Sequence, residues 1–125
     1  MKNFKIVWSS STDCGPSRDK NEDSIFPPLS GSDYPPFRAA VCDGLGGHTS
    51  GDIASKIAVD SLLKNFTDLN SLINSANDEI IEYQNQNPKT RGMGTTMTAI
   101  TIGSDALMKI GPVSYTHLTL PTTYH

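Results

Sequence analysis

The chain has 125 residues, of which 36% are hydrophobic and 18% are charged, and its formal net charge is −3. This length suits one small domain, and the weak negative charge lacks the basic footprint of a nucleic-acid-binding protein. No apolar run approaches the roughly 20 residues that a membrane-spanning helix needs. The two cysteines form neither a disulfide framework nor a zinc set, so a reducing cytoplasm is the expected location.

The first third of the chain is dominated by strand patterns. Residues 4–8 (FKIVW) and 24–26 (SIF) combine aromatic and β-branched residues, which are typical of strands. The Pro-, Gly- and Ser-rich residues 27–36 predict a loop. The near-continuous apolar residues 37–42 (FRAAVC) predict a further strand, buried in a core.

A glycine-rich loop over residues 44–51 precedes the first predicted helix. Small and aliphatic residues recur at helical spacing from Ile53 to Leu62, which predicts one apolar face. Ser50 is the N-cap candidate, and Asp52 lies in the first turn, where the helix dipole favours an acidic side chain.

The second half of the chain predicts one long helix and a hairpin. The helix is expected over residues 68–84 and is closed by Pro88. Residues 95–102 alternate threonine with apolar residues, residues 103–105 form a turn, and residues 106–110 pair back. Because helices and strands are segregated along the chain, we expect an α+β fold with antiparallel sheets. The apolar face of the long helix is predicted to contain Leu69, Leu72, Ile73, Ala76, Ile80 and Tyr83.

Two of the three segments that could carry chemistry are ambiguous when taken alone. Residues 13–23 contain Arg18 and end in the adjacent carboxylates of Glu22 and Asp23. This pattern is also typical of a solvated acidic turn. Residues 92–96 (GMGTT) by themselves indicate only a turn that opens a strand.

The third segment, residues 43–48 (DGLGGH), follows the strand predicted over residues 37–42. Its glycines let the main chain approach a ligand, and hard cations such as Mg²⁺ and Mn²⁺ prefer carboxylate and carbonyl oxygens like those of Asp43 and Gly44. The alternative is an Asp-Gly turn that only links a strand to a helix. A nucleotide-binding loop is disfavoured, because no Gly-Lys-Ser/Thr tripeptide occurs and Thr49 stands where a GxGxxG motif needs glycine.

Together the three segments resemble one protein family. In order and spacing, DCGPSRDKNEDS, VCDGLGGHTSGDIAS and GMGTTMTAI resemble the opening motifs of bacterial PP2C-type (PPM) metal-dependent protein serine/threonine phosphatases. The resemblance covers nearly all of residues 4–111. It implies a central antiparallel β-sandwich flanked by helices, in α-β-β-α layers, of which residues 1–112 would form the first half.

The resemblance also implies roles for individual residues. Asp43 would bridge two divalent cations, Mn²⁺ or Mg²⁺, and the Gly44 carbonyl would ligate one of them; a third cation is an open alternative. Glu22 and Asp23 would act through metal-bound water. Arg18 would bind the substrate phosphate, for which its guanidinium group is well matched.

The remaining motif residues are expected to be structural. His48 would have at most a minor role, because animal members carry their proposed general-acid histidine directly after the Asp-Gly pair, where this chain has Leu45. Cys14 and Cys42 are expected to be packing residues. Four further residues would set up a strand that packs near the site: Gly92, Gly94, Thr95 and Thr96.

The end of the chain departs from the family pattern. The family's next motif, Gly-Asp-Ser-Arg, should follow residue 111, but the chain contains no acidic residue after Asp105. Residues 113–125 carry no charge and hold four Thr, two Tyr and two His. They resemble a translated transposase end sequence used to prepare sequencing libraries, which implies an artefactual tail. A natural divergent strand and turn is the alternative reading.

These observations define a functional expectation. The parent enzyme would hydrolyse phosphoserine and phosphothreonine in proteins with water activated by the metals, whereas this truncated chain would be inactive because later metal-binding aspartates are missing. The alternative is a non-catalytic, pseudophosphatase-like regulatory module. The expected partners are phosphorylated proteins, products of a serine/threonine kinase, with no nucleic acid and no membrane, and the complete enzyme would be a monomer.

Overall fold

The computed structural model describes residues 4–13, 15, 20–45, 50–64 and 68–111. Arg18, His48, Cys14 and the whole segment 112–125 lie outside these residues. Short 3₁₀ turns, Ser61–Leu63 and Pro88–Thr90, follow the two helices. The described strands and α-helices are, in chain order, β1 (Ile6–Trp8), β2 (Asp23–Phe26), β3 (Gly31–Asp33), β4 (Phe37–Asp43), α1 (Gly51–Asp60), α2 (Leu69–Gln86), β5 (Thr98–Ile102) and β6 (Met108–Gly111).

The strands form two antiparallel sheets, which confirms the α+β expectation. The larger sheet has the order β2-β4-β5-β6, and β1 pairs with β3 in the smaller one. Strand β3 corrects the prediction of a loop over residues 27–36. Its sequence, Gly-Ser-Asp, has no strand pattern, and its strand geometry comes from long-range pairing with Ile6–Trp8.

The core lies between one face of the larger sheet and the two helices. We call this the helix face; β4 contributes Ala40 and Cys42 to it, and β5 contributes Ala99. Both helices pack there through the small and aliphatic stripes that their sequences predict. The buried helical core residues are Ala54, Ala58, Val59, Leu72, Ile73, Ala76 and Ile80.

The opposite face of the larger sheet, here called the open face, is only partly covered. Trp8 of β1 packs against Phe37 of β4 with ring centroids 4.8 Å apart, so the smaller sheet lies over this end. Further along β4, Val41 is 57% exposed. Residues 37–42 do form the predicted strand, but it is buried only in part, because β4 alternates between the two faces and Val41 is exposed.

The two helices begin differently. Ser50 occupies the N-cap position of α1, as predicted, but its side chain makes no capping hydrogen bond. In α2 the Asp68 carboxylate accepts a hydrogen bond from the Ser71 N–H at 2.8 Å. No helix in the described parts of the chain combines the length and apolar character needed to cross a membrane.

The Asp68 cap predicts a pH-dependent contribution to stability. The hydrogen bond from the Ser71 N–H lowers the pKa of Asp68 below its usual value of 3.8. Because the folded-state pKa is depressed, the contribution is fully present above pH 3.8 and is lost as pH falls through the lower folded-state value. In urea unfolding, we expect Asp68→Ala to be destabilised at neutral pH and to converge with wild type in acid. Asp78→Asn, an exposed change in the same helix, should follow wild type throughout, and a pH-independent gap for Asp68→Ala would contradict the assignment.

Candidate functional site

Three residues form a row across the open face where β4 ends. Asp23 of β2 pairs with Asp43 of β4 in the antiparallel register. On the other side, Val41 pairs with Thr98 and Gly44 forms an isolated bridge with Thr95, so Asp43 faces Thr96. Directly opposed residues have Cβ atoms about 4.5–5.5 Å apart. The fold therefore brings Asp23, Asp43 and Thr96 together from three separate segments.

The row contains two carboxylates of like charge. Asp23 and Asp43 are both exposed, and their side chains share the face that points away from the helices. Like charges directly opposed on neighbouring strands are destabilising, and a cation between them relieves that repulsion. Their oxygens are the hard donors that Mg²⁺ and Mn²⁺ prefer. This end of the sheet thus fits part of the coordination shell of a divalent cation.

The main chain beyond Asp43 is held on both sides. The Gly44 N–H donates to the Glu22 carbonyl at 3.1 Å, and the Leu45 N–H donates to the Gly94 carbonyl at 2.9 Å. Gly94 belongs to the GMGTT segment, so this hydrogen bond joins that segment to the main chain that follows the Asp-Gly pair. Gly92 in the same segment has φ +87°, a left-handed conformation that favours glycine.

Glycines at positions 44 and 51 permit a close backbone crossing. A Cβ on Gly44 would lie 2.2 Å from the Gly51 carbonyl oxygen and 2.6 Å from the Glu22 carbonyl oxygen. The start of α1 is therefore pressed directly against the loop that follows Asp43. Both positions require glycine because backbone atoms, rather than movable side chains, occupy the space.

Glu22 and Asp23 have different surroundings although they are adjacent. Glu22 is only 7% exposed, and one of its carboxylate oxygens lies 2.9 Å from the point that a Cβ on Gly51 would occupy. Asp23 is exposed in the row with Asp43. The structure therefore brings Asp23 together with Asp43, and it places the Glu22 side chain against the start of α1.

Ser55 contacts the segment that carries Glu22 and Ser24, a role that was not predicted from the sequence. It is buried in α1, and its hydroxyl donates to the Glu22 carbonyl at 2.6 Å. The same hydroxyl lies 3.1 Å from that of Ser24. These contacts tie α1 to β2 directly behind the carboxylate row. The only sequence signal was a polar residue within a stripe of small apolar ones.

The described residues offer few side chains that could ligate a metal ion. Within the described residues, no group of three or more His, Cys, Asp or Glu side chains is arranged to hold a metal ion. Cys42, next to Asp43, is a free buried thiol on the helix face, and burial raises its pKa to about 12. A thiol that stays protonated is a poor ligand, so Cys42 acts as a packing residue, as predicted.

Comparisons with known proteins identify relatives in sequence. No protein-family model matches the chain. The serine/threonine phosphatase stp of Listeria monocytogenes is 34% identical over 103 residues, which are 70% of this chain and 39% of that protein. A putative protein phosphatase 2C-type from Streptococcus pyogenes is 31% identical over an alignment 135 positions long, which covers 91% of this chain and 53% of that protein.

A solved structure of a serine/threonine phosphatase also matches the fold of this chain. The catalytic domain of the serine threonine protein phosphatase PstP, in complex with two manganese ions, superposes with a TM-score of 0.57 at 27% identity. The match covers 82% of this chain and 43% of that one. The chain is therefore similar, in sequence and in fold, to bacterial PP2C-type serine/threonine phosphatases. It spans about half, or less, of the length of these relatives.

Proposed function

We propose that the protein containing this chain hydrolyses phosphoserine and phosphothreonine esters in phosphoproteins, in a reaction that depends on divalent cations. The observation that carries this proposal is the opposed carboxylate pair, Asp23 and Asp43, at the end of the central strands of a PP2C-type fold. We further propose that residues 1–112 supply the N-terminal part of the catalytic domain. The order of their motifs and the 39–53% share of the relatives that they match support this assignment.

We assign the site to two Mn²⁺ or Mg²⁺ ions, for which the opposed carboxylates of Asp23 and Asp43 would supply part of the coordination. Asp43 would ligate both ions, the Gly44 carbonyl would ligate one, and Asp23 would act through water. Glu22 is also assigned to a water-mediated contact, although its carboxylate is buried beside Gly51. Such ions, when bound, stabilise charge on phosphoryl oxygens and supply a nucleophile from water at neutral pH.

The protein's own residues supply position and charge. The antiparallel register holds Asp23 and Asp43 side by side, and the close crossing of Gly44 and Gly51 holds the main chain directly after Asp43 against the start of α1. Arg18 is assigned to the substrate phosphate because its planar guanidinium group can donate two parallel hydrogen bonds. His48 is assigned at most a minor role. In the sequence, Arg18 lies in the same motif as Asp23, and His48 lies in the same motif as Asp43.

Mn²⁺ binding to the 125-residue chain tests the metal site. Since the described residues offer few carboxylates, we expect weak binding of a largely hydrated ion. Asp43→Asn should weaken Mn²⁺ affinity by about tenfold or more, because it removes the shared carboxylate. Asp78→Asn makes the same charge change on an exposed part of α2 and should leave the affinity unchanged. Electron paramagnetic resonance of free Mn²⁺ measures both, and equal affinities in the two variants would refute the site.

Hydrolysis is tested on the protein encoded by the contiguous gene. We expect Mn²⁺-dependent release of phosphate from a phosphothreonine peptide, and loss of that activity with a chelator. Turnover that persists in a chelator would contradict the proposal. If the proposal holds, the substrates are phosphoproteins generated by a serine/threonine kinase, and the complete enzyme acts as a monomer. The free, buried Cys42 thiol is consistent with a cytoplasmic location.

A further inference from the structure

We infer that Thr96 is a positioning residue for the Asp43 carboxylate, an inference that rests on the proposed metal site. Thr96 lies directly opposite Asp43 in the row across the open face, on the side away from Asp23. Its own side chain supplies no charge. It acts through the main chain of Asp43, and three hydrogen bonds carry that role.

Those hydrogen bonds enclose the Asp43 backbone. The Asp43 N–H donates to the Thr96 hydroxyl oxygen at 3.1 Å. The Thr96 N–H donates to the Asp43 carbonyl at 2.9 Å, and the Thr96 hydroxyl donates to that same carbonyl at 3.4 Å. One side-chain hydroxyl therefore contacts both main-chain polar groups of Asp43. Rotation of the peptide groups on either side of Asp43 would break at least one of these bonds.

This arrangement differs from a regular antiparallel pair. There, two opposed residues exchange main-chain N–H to carbonyl bonds. Here the Thr96 hydroxyl takes the place of a carbonyl acceptor, and the Thr96 carbonyl instead accepts from the Thr95 hydroxyl at 2.8 Å. The pairing of Asp43 with Thr96 thus consists of one main-chain hydrogen bond and the contacts of the Thr96 hydroxyl, one residue before the glycine loop begins. The hydroxyl fixes Asp43 at the point where regular strand hydrogen bonding ends.

Fixing the backbone of Asp43 fixes the direction of its side chain. Allowed side-chain rotamers depend on the main-chain angles of the residue. A metal ligand displaced by a fraction of an ångström loses affinity, and residues that orient a ligand typically contribute 10- to 100-fold to metal binding. Removing the Thr96 hydroxyl leaves the Asp43 N–H without that acceptor, so the main-chain angles that set the direction of the carboxylate are less restrained.

Thr98 provides a matched control. It lies two residues further along the chain, at the first position of β5, on the same open face and opposite Val41. Thr96 and Thr98 are both half-buried, and Thr98 does not face the carboxylate pair. Replacing either threonine with valine removes one hydroxyl and preserves the shape of the side chain. A difference between the two variants therefore reports on the contact with Asp43.

The test combines Mn²⁺ affinity with urea unfolding of the metal-free 125-residue chain. We expect Thr96→Val to weaken Mn²⁺ affinity by about tenfold or more, Thr96→Ser to restore it to within about threefold, and Thr98→Val to match wild type. Thr96→Ala removes the hydroxyl without a larger side chain and should behave like Thr96→Val. The unfolding curves show that each variant is folded when its affinity is measured.

Several results would overturn the inference. Folded Thr96→Val that binds Mn²⁺ as wild type does would refute it, as would Thr96→Ser that binds as weakly as Thr96→Val. If both hydroxyl-free variants fail to fold while Thr96→Ser folds, the role of Thr96 is structural only. If wild type binds no Mn²⁺, the proposed metal site fails together with the inference. If Asp43→Asn weakens binding and Thr96→Val does not, the inference alone fails.

Discussion

Gly51→Ala is expected to destabilise the chain by about 3 kcal/mol, although alanine is favoured over glycine within helices by about 1 kcal/mol. A Cβ on Gly51 would lie 2.2 Å from the Leu45 carbonyl oxygen and 2.8 Å from the Leu45 nitrogen. These are main-chain atoms, and the Leu45 N–H is already bonded to the Gly94 carbonyl. Relief of the clash therefore requires the start of α1 and the loop after Asp43 to separate.

Urea unfolding measures this effect, and Gly111→Ala is its control. A Cβ on Gly111 would meet only a Leu69 methyl carbon at 3.7 Å, which is an ordinary contact. We expect that variant to unfold within about 0.5 kcal/mol of wild type. If Gly51→Ala were as stable as wild type or more stable, helix propensity would outweigh the contact, and the close crossing of the loop and α1 would be refuted.

The elements that the sequence predicted well are those whose signals are local. The apolar face of α2 recurs at helical spacing, and its burial from Leu72 to Ile80 follows that pattern. The β5–β6 hairpin needs only a short turn between two adjacent strands. In contrast, β3 forms because Gly31–Asp33 meets Ile6–Trp8, a pairing about 25 residues apart that no local pattern of three polar residues encodes.

In the candidate site, too, the residues with a local sequence signal were predicted, whereas a contact that depends on long-range pairing was not. Asp43 and Gly44 were predicted because a carboxylate and glycines after an apolar strand are unusual in a short stretch of sequence. The contact between Asp43 and Thr96 spans 53 residues and depends on the register of β4 against the segment before β5. A shift of one residue would place Thr96 on the other face. Thr96 was therefore assigned only a structural role from sequence, whereas the register reveals its contact with Asp43.

Ile80→Ala is expected to cost about 3 kcal/mol of unfolding free energy, because it removes buried carbons and leaves a cavity. Ile80 is fully buried between α2 and the helix face of the larger sheet. Its neighbour Ile81, the next residue of the same helix, is 38% exposed. Ile81→Ala makes the identical chemical change and should cost less than about 1 kcal/mol, since its surroundings include solvent.

This pair of variants also separates the stability of the core from the integrity of the site. Ile80 packs on the helix face, whereas Asp23 and Asp43 lie on the open face of the same sheet. Under conditions where Ile80→Ala remains folded, we therefore expect its Mn²⁺ affinity to stay within about twofold of wild type, because distant sites act independently. Urea unfolding and Mn²⁺ titration measure the two quantities. Equal destabilisation by Ile80→Ala and Ile81→Ala would contradict the packing of α2. A tenfold loss of Mn²⁺ affinity in folded Ile80→Ala would show that the helix face and the open face are coupled.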